Sequence, residues 1–209
     1  MEWEDYIYPS GVLRNKLNID NFEILSQKEF LISSLLNFKI MVDPIKGNLD
    51  FDMLKKIHQS LFEPLYSWAG KLREVEMRKS IDEPFFTSVS LIKQKAVKIF
   101  YSLQRARYFI NDPKEKFIIH CSELLASLND LHPFREGNGR ANKTFLNYIA
   151  IANGYIFNYK KVDEETWTIA SATAHRLCLN NLLIKVLSDC IENVEDKNQI
   201  EKYRKSFNI

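Results

Sequence analysis

His132-Pro133-Phe134-Arg135-Glu136-Gly137-Asn138-Gly139-Arg140 puts a base, an acid, an amide between two glycines and a cation into one short passage. Residues 113–131 before it read as a helix and residues 138–153 after it as another, so the chain is organised as a helix–loop–helix around this stretch. A loop that ends in Gly-Asn-Gly and opens a helix leaves backbone N–H groups unpaired, backed by the positive end of the helix dipole. Such an arrangement holds phosphates. Arg140, in the first turn, adds a fixed charge suited to phosphate oxygens. Glu136 beside such a nest would repel phosphate directly, so its expected use is to hold a divalent cation that bridges to phosphate. His132 has an ordinary pKa of about 6.5, close to working pH, as a general base requires. An elbow built only to turn the chain needs the glycines, but neither the histidine nor the glutamate.

The 209 residues, 45% hydrophobic, are enough for one substantial core. A formal net charge of +2, with the charges spread rather than blocked, does not resemble a nucleic-acid footprint. Lys93, Lys95 and Lys98 fall at helical spacing and read as a solvated face. Three cysteines, Cys121, Cys178 and Cys190, form no C-x-x-C and lie in apolar helical patterns, which points to reduced thiols in a reducing compartment. The acidic start lacks the apolar core of a secretory signal, and no run approaches a membrane span. The expectation is a cytoplasmic protein with no membrane partner.

Residues 1–18 read as an irregular lead. From Asp20 to about Met41, Phe22, Leu25, Phe30, Leu31, Leu35 and Phe38 recur at helical spacing and predict an amphipathic helix. Asp50 is the expected N-cap of a second helix, with a stripe of Phe51, Leu54, Ile57, Leu61 and Phe62. His58, next to that stripe, reads as a packed or half-exposed histidine rather than a ligand. Alternation over residues 74–79, a polar break at 80–84 and then Phe85-Phe86 predict a short β-hairpin whose edge can pair with an extended partner. Thr87 or Ser88 caps a third helix to about Phe109. Asp112, Pro113 and Glu115 then read as N-cap, N1 and N3 of the next, with Phe117, Cys121, Leu124, Leu125 and Leu128 facing inward. His120 has no evident chemistry there. After the passage, Ala141, Phe145, Tyr148, Ile149 and Ala152 form an apolar face that stops at Asn153-Gly154. Acidic residues 163–165 start a further helix ending near His175, and Asn180-Asn181 caps a last one through Leu187 and Ile191. The polar residues 194–209 read as a frayed or partner-ordered tail.

The central stretch resembles the signature of the Fic (Fido) family, H-x-F-x-[D/E]-G-N-G-R-x-x-R, up to its last position. Tyr6-Ile7-Tyr8-Pro9 with Leu13 to Leu17 resembles the lead of the small Fic toxins, and Trp68-Ala69-Gly70 with Arg73 resembles the segment before the Fic flap, so the resemblance covers roughly residues 5–192. It implies an all-α, mostly helical Fic fold, with a helix–loop–helix active-site core and a short β-hairpin flap, spanning residues 19–193. It further implies transfer of AMP from ATP to a Ser, Thr or Tyr hydroxyl of a target protein. In that reading His132 takes the hydroxyl proton and Glu136 holds Mg²⁺. Gly137, Asn138, Gly139 and Arg140 cradle the phosphates, Asn138 with its side-chain amide as well as its N–H. Pro133 and Phe134 anchor the loop. Lys79 and Phe85 fall where family members carry flap residues near the nucleotide, and Asn180 or Asn181 falls near the adenine. The family's second arginine is Lys143 here; a lysine offers the γ-phosphate a point charge instead of two parallel bonds.

The Doc branch, which transfers the γ-phosphate, usually carries a lysine where this chain has Gly139, so glycine favours AMP transfer over a Doc-like phosphotransferase. A third reading is a weakly active Fic-fold binding module, supported by Lys143 and opposed by His132 and Glu136. Ser188-Asp189-Cys190-Ile191-Glu192-Asn193 fits the inhibitory pattern [ST]-x-x-x-E-[GN], although the segment also reads as the last core helix. The small-toxin resemblance implies instead a small helical antitoxin partner carrying that pattern. It also implies targets such as the type II topoisomerase subunits DNA gyrase B and topoisomerase IV, without direct nucleic-acid binding.

Overall fold

The computed structural model of the chain describes residues 3–209, with side chains from Glu4 onward; the first two residues of the expected lead lie outside the described residues. In chain order it forms α1 (Phe22–Val42), α2 (Phe51–Phe62), α3 (Ile92–Arg105), α4 (Lys114–Leu131), α5 (Asn138–Ala152), β1 (Tyr155–Phe157), α6 (Glu164–Leu177), α7 (Asn181–Cys190), β2 (Ile191–Asn193) and α8 (Lys197–Phe207). The helix that opens on Gly-Asn-Gly is the axis of the core. Twelve of the fifteen residues of α5 are buried, as expected of a helix packed on all sides, and α2, α4, β1 and α8 surround it.

Local chemistry sets several of the ends. Asn21, Asp50 and Asp163 each accept a backbone N–H of the first turn of α1, α2 and α6. The left-handed Gly154 at φ +86° ends α5. The inward faces expected of α2 and α4 are buried, including Leu54, Ile57, Leu61 and Phe62 on the first and Phe117, Cys121 and Leu128 on the second. The first turn of α4 starts one residue later than its capping pattern implies. Pro113 occupies the cap, and Asp112 binds Lys116 and His120 instead of a backbone N–H. The third helix stops at Arg105, because residues 107–109 all take positive φ.

Four expectations are corrected. The hairpin at residues 74–86 reduces to one bridge between Arg78 and Phe85, with Phe86 N–H donating to Met77 O at 2.9 Å. Pro84 has no N–H to extend the ladder, and the flanking carbonyls of Val75 and Thr87 are taken by a buried Arg73 side chain. The strands that do form, β1 and β2, pair antiparallel with Ile156 opposite Glu192. Three-residue strands are too short to show periodicity. Ile191 is buried as expected, but in β2 rather than in the last turn of α7.

The polar tail is α8, and it is docked. Tyr203 and Phe207 are buried against Tyr148 of α5, and Tyr203 O–H donates to Met41 O. Its aromatics recur four apart among charges, so a mostly polar composition hid a narrow packing face. On α1 the predicted apolar face is largely solvent-exposed: Phe22, Phe30, Leu31, Leu35 and Phe38 are 61–74% exposed, while Leu25, Ser33 and Ile40 are buried. Apolar residues surround this helix, so spacing alone leaves the inward face undetermined.

Because Phe207 fills part of the floor under α5, Phe207→Ala should cost about 3–5 kcal/mol in urea unfolding. A frayed tail would tolerate the change with no measurable loss.

Candidate functional site

The loop between α4 and α5 is fixed from both sides. Pro133 excludes right-handed helix at His132, which takes φ 41° and ψ 59° while its N–H still reaches Leu128 O at 3.2 Å. Phe134 is fully buried and stacks on His58 at 3.8 Å. The side chain of Asn138 accepts from Phe134 N–H at 2.9 Å and donates to Phe134 O at 2.8 Å, which closes the loop on itself. The Asn138 amide is therefore consumed by the fold and is not free to cradle a phosphate, as the resemblance implied. Gly137 sits at φ +79°, and a Cβ there would lie 2.4 Å from the Phe62 ring, so only glycine fits.

His58 braces the same loop from α2. Gly70 N–H donates to its Nδ1 at 2.8 Å, which leaves the proton on Nε2 to donate to Glu136 O at 2.9 Å. Burial pushes its pKa down to about 4, so the ring is neutral, as these two bonds require. The histidine read as merely packed is the loop's main polar support.

His132 has the character of a base. Its Nδ1 lies 3.3 Å from Asn129 O, a contact that holds the proton on Nδ1 and leaves the Nε2 lone pair free. Burial, with help from the charges of Arg73 and His175, pushes its pKa down to about 4, against the opposing pull of Asn129 O and Asp130. The ring lies flat against Phe86 at 3.7 Å and 5°. Arg73, 1% exposed, donates to His132 O at 2.8 Å, Val75 O at 2.7 Å and Thr87 O, while Arg73 N–H donates to Pro133 O at 2.9 Å. One buried cation thus joins the base of the flap to the base of the loop.

On the other side of the loop, the N–H groups of Asn138, Gly139 and Arg140 begin α5 and have no carbonyl one turn earlier within the helix. Gly139 meets nothing within 4 Å of a built Cβ, so a side chain there would project into open space. Glu136 accepts from Gly137 N–H at 2.9 Å, and its side chain is 46% exposed. No group of three or more His, Cys, Asp or Glu that could hold a metal occurs among the described residues. A half-exposed carboxylate, 3.7 Å from the Arg140 guanidinium, nevertheless fits Mg²⁺, which commonly takes one or two carboxylates and completes its shell with phosphate oxygens and water.

The two expected phosphate cations differ. Arg140 stays at the loop, its guanidinium over the Phe62 ring at 4.6 Å, bonded to Ser33 Oγ at 3.1 Å and to Glu29. Tyr66 O–H donates to the same Glu29 carboxylate. Lys143 turns to the aromatic side, with Nζ 4.2 Å from the Trp167 ring and 5.2 Å from Tyr159, and burial lowers its pKa. Ser33, Asn37, Arg140, Lys143, Thr144 and Tyr159 border a cleft of about 150 Å³ between α1 and α5.

The remaining expected residues spread out. Lys79 is exposed, and Phe85 is 56% exposed beneath the Arg78 guanidinium at 5.0 Å. Phe86, not Phe85, reaches His132; adjacent residues on an extended chain face opposite ways, and sequence does not say which faces in. Asn180 caps α7 without a side-chain hydrogen bond, and Asn181 is exposed. Glu192 lies in β2, bound to Lys161 at 2.9 Å and Asn158 at 3.0 Å, so Ser188–Asn193 does not form an inhibitory helix. Sequence reasoning missed Arg73, Glu29 and Phe86 as site residues; only the Trp-Ala-Gly-x-x-Arg run hinted at the first.

Both histidines bracketing the loop are harder to protonate folded, near pH 4, than unfolded, near pH 6.5. Stability is therefore complete above about pH 6.5 and lost as the pH falls toward 4. His58 alone should account for about 3 kcal/mol of that loss. Urea unfolding at pH 7, 5.5 and 4.5 checks it, and His58→Gln should flatten the curve.

Comparison with known proteins agrees with this geometry. The Fic/DOC family model matches residues 48–150. The probable protein adenylyltransferase Fic of Escherichia coli K12 is 29% identical over 194 residues, covering 91% of this chain and 95% of that protein. The probable protein adenylyltransferase y4lH of Sinorhizobium fredii is 32% identical over 158 residues, covering 75% and 80%. The crystal structure of the Bartonella tribocorum BepC protein with bound AMPPNP superposes with a TM-score of 0.86 at 23% identity, covering 90% of this chain and 97% of that one. On the family match across α2 to α5 and a relative 32% identical over most of its length, the chain belongs to the Fic/DOC family.

Proposed function

We propose that the protein transfers AMP from ATP to a hydroxyl of a target protein. The observation that carries this reading is the free Nε2 of a neutral His132 on the same loop as three unpaired N–H groups and the Glu136 carboxylate. Relatives named as protein adenylyltransferases support it. His132 Nε2 takes the proton of an incoming Ser, Thr or Tyr hydroxyl, and the oxygen attacks the α-phosphorus of ATP. The bond from that phosphorus to the bridging oxygen breaks, and pyrophosphate leaves toward the N–H groups of Asn138, Gly139 and Arg140. Mg²⁺ bound at Glu136 would supply charge neutralisation on the phosphates. Open space at Gly139 fits this orientation, without the lysine usual in the phosphotransferase branch. Lys143, held against Trp167, supplies less to the γ-phosphate than the family arginine would, which favours modest activity.

We read inhibition as coming from a separate small helical antitoxin that carries the [ST]-x-x-x-E-[GN] pattern. Two features support it. Glu192 is spent in β2 on Lys161 and Asn158. The outer side of α1 also exposes Ile24, Leu31, Leu35, Phe38 and Val42, whose spacing of seven, four, three and four matches a helix-pairing seam. Bacterial cytoplasmic targets such as the type II topoisomerase subunits complete this reading.

Incubation with α-labelled or γ-labelled ATP and Mg²⁺ in a bacterial lysate tests it. Label should pass from the α-phosphate only, and His132→Ala should lower transfer about 10²–10⁴-fold. Transfer from γ alone would establish the phosphotransferase instead, and nucleotide binding without transfer the binding module. Glu192→Gly should leave the isolated chain's activity unchanged; activation by that substitution would return inhibition to this chain.

A further inference from the structure

The segment over His132 is held by a helix that the motif does not include. In the last turn of α6, His175 Nε2 donates to Pro84 O at 3.2 Å, and Arg176 Nε donates to Glu83 Oε2 at 3.2 Å. Arg176 makes a second bond to the other oxygen of Glu83, a fork-to-fork pair. The side chains of His175 and Glu83 are each only 8% exposed, while Arg176 is 56% exposed and closes over Glu83 from the solvent side. The His175 ring tilts against Phe86 at 4.9 Å, on a ring that also lies flat on His132. Behind them, His175 Nδ1 is 3.3 Å from Asp130 Oδ1, while Asp130 Oδ2 takes Lys95 and Thr87 at 3.1 Å each. Asp130, through Thr87, and His175, through Pro84, therefore grip the C-terminal stem of the flap, and Arg176 grips its tip.

Arg73 and Asp130 pin the stems of the flap, but the turn between them has little else to fix it. Its own ladder is one bridge, and residues 78–82 are exposed. A two-stranded ribbon of this size is not stable by itself. Phe86 lies between the pinned Thr87 and Pro84, so contacts on Pro84 and Glu83 bear directly on its place against His132.

We propose that His175 and Arg176 are positioning residues that latch the flap to α6 and so hold Phe86 against the ring of His132. The kinetic half of this inference rests on His132 being the general base; the structural half does not. A latched flap keeps the Nε2 face of His132 at a fixed angle to an incoming hydroxyl and keeps the flap edge extended for the target chain. A loose flap lets the ring turn. The expected effect is on turnover and target binding, since neither residue reaches the N–H groups that face phosphate.

The test is a ¹H–¹³C spectrum of the histidine Cε1–H groups, of which the chain has four, each assigned by substitution. In the native chain the His132 proton should lie upfield, shielded by Phe86. Arg176→Glu or Glu83→Arg alone should move it toward the free-histidine position and speed amide exchange at Phe86 by about 2–5-fold, the range of one ion pair. Glu83→Arg with Arg176→Glu should restore both. His175→Ala should loosen the flap by about 2–12-fold, as for one hydrogen bond, and His175→Gln, which keeps a donor near Pro84 O, should rescue part of that. In the α-label assay kcat should fall in the same order while KM for ATP changes less than twofold. Should an α6 variant fail to fold, Glu83→Gln on the flap gives the same readout. An unmoved His132 signal in all single variants, or no restoration in the charge swap, overturns the latch. Movement and restoration of the signal without any label transfer would keep the latch and remove the transferase reading.

Discussion

A single guanidinium, that of Arg73, holds the two halves of the site together. It is buried and spread over the carbonyls of His132, Val75 and Thr87. A buried cation is tolerable only where its donors are met. Here the carbonyls that meet them belong to the end of α4 and to both stems of the flap, so the loop and the flap cannot move apart without stranding the charge. Asp130 does similar work on the other side, taking the Thr87 hydroxyl and Lys95 of α3 on one carboxylate oxygen. Four elements thus meet at His132 through polar contacts rather than through apolar packing alone.

The loop itself is shaped by a second brace. His58 reaches from α2 to Glu136 O, and Asn138 returns to the backbone of Phe134. These contacts consume polar side chains on the inner side and leave the groups the proposed chemistry would use: the carboxylate of Glu136, the first N–H groups of α5 and the lone pair of His132. Arg140 occupies an intermediate place. Glu29 and Ser33 of α1 hold its guanidinium, so the charge that faces the phosphate side is oriented by a helix far away in sequence. That demand accounts for the polar residues on the inward face of α1.

Much of this was legible in the chain. The nine-residue stretch named the loop, its base, its carboxylate and the helix that follows, because positive-φ glycine, proline and an N-terminal helix turn are properties of local backbone. Caps at Asn21, Asp50 and Asp163 and the stop at Gly154 are local for the same reason. The inward faces of α2, α4 and α5 followed from spacing, since each is apolar on one side or all round.

What the sequence could not determine depends on contacts between distant residues. Whether α1 turns Leu25 or Leu35 inward is settled by Arg140, over a hundred residues on. The docking of α8 depends on the floor that Tyr148 offers to Tyr203 and Phe207. Glu192 fits an inhibitory pattern letter for letter, yet strand pairing with Ile156 directs it to Lys161. Phe86 rather than Phe85 faces His132 because the pairing of Phe85 with Arg78 and of Phe86 N–H with Met77 O sets that register. The sequence by itself determined the reactive groups and the turn that presents them, since those are fixed within a few bonds. Only the tertiary structure decided which buried charges meet which carbonyls, and those long-range pairings set the orientation of every reactive group.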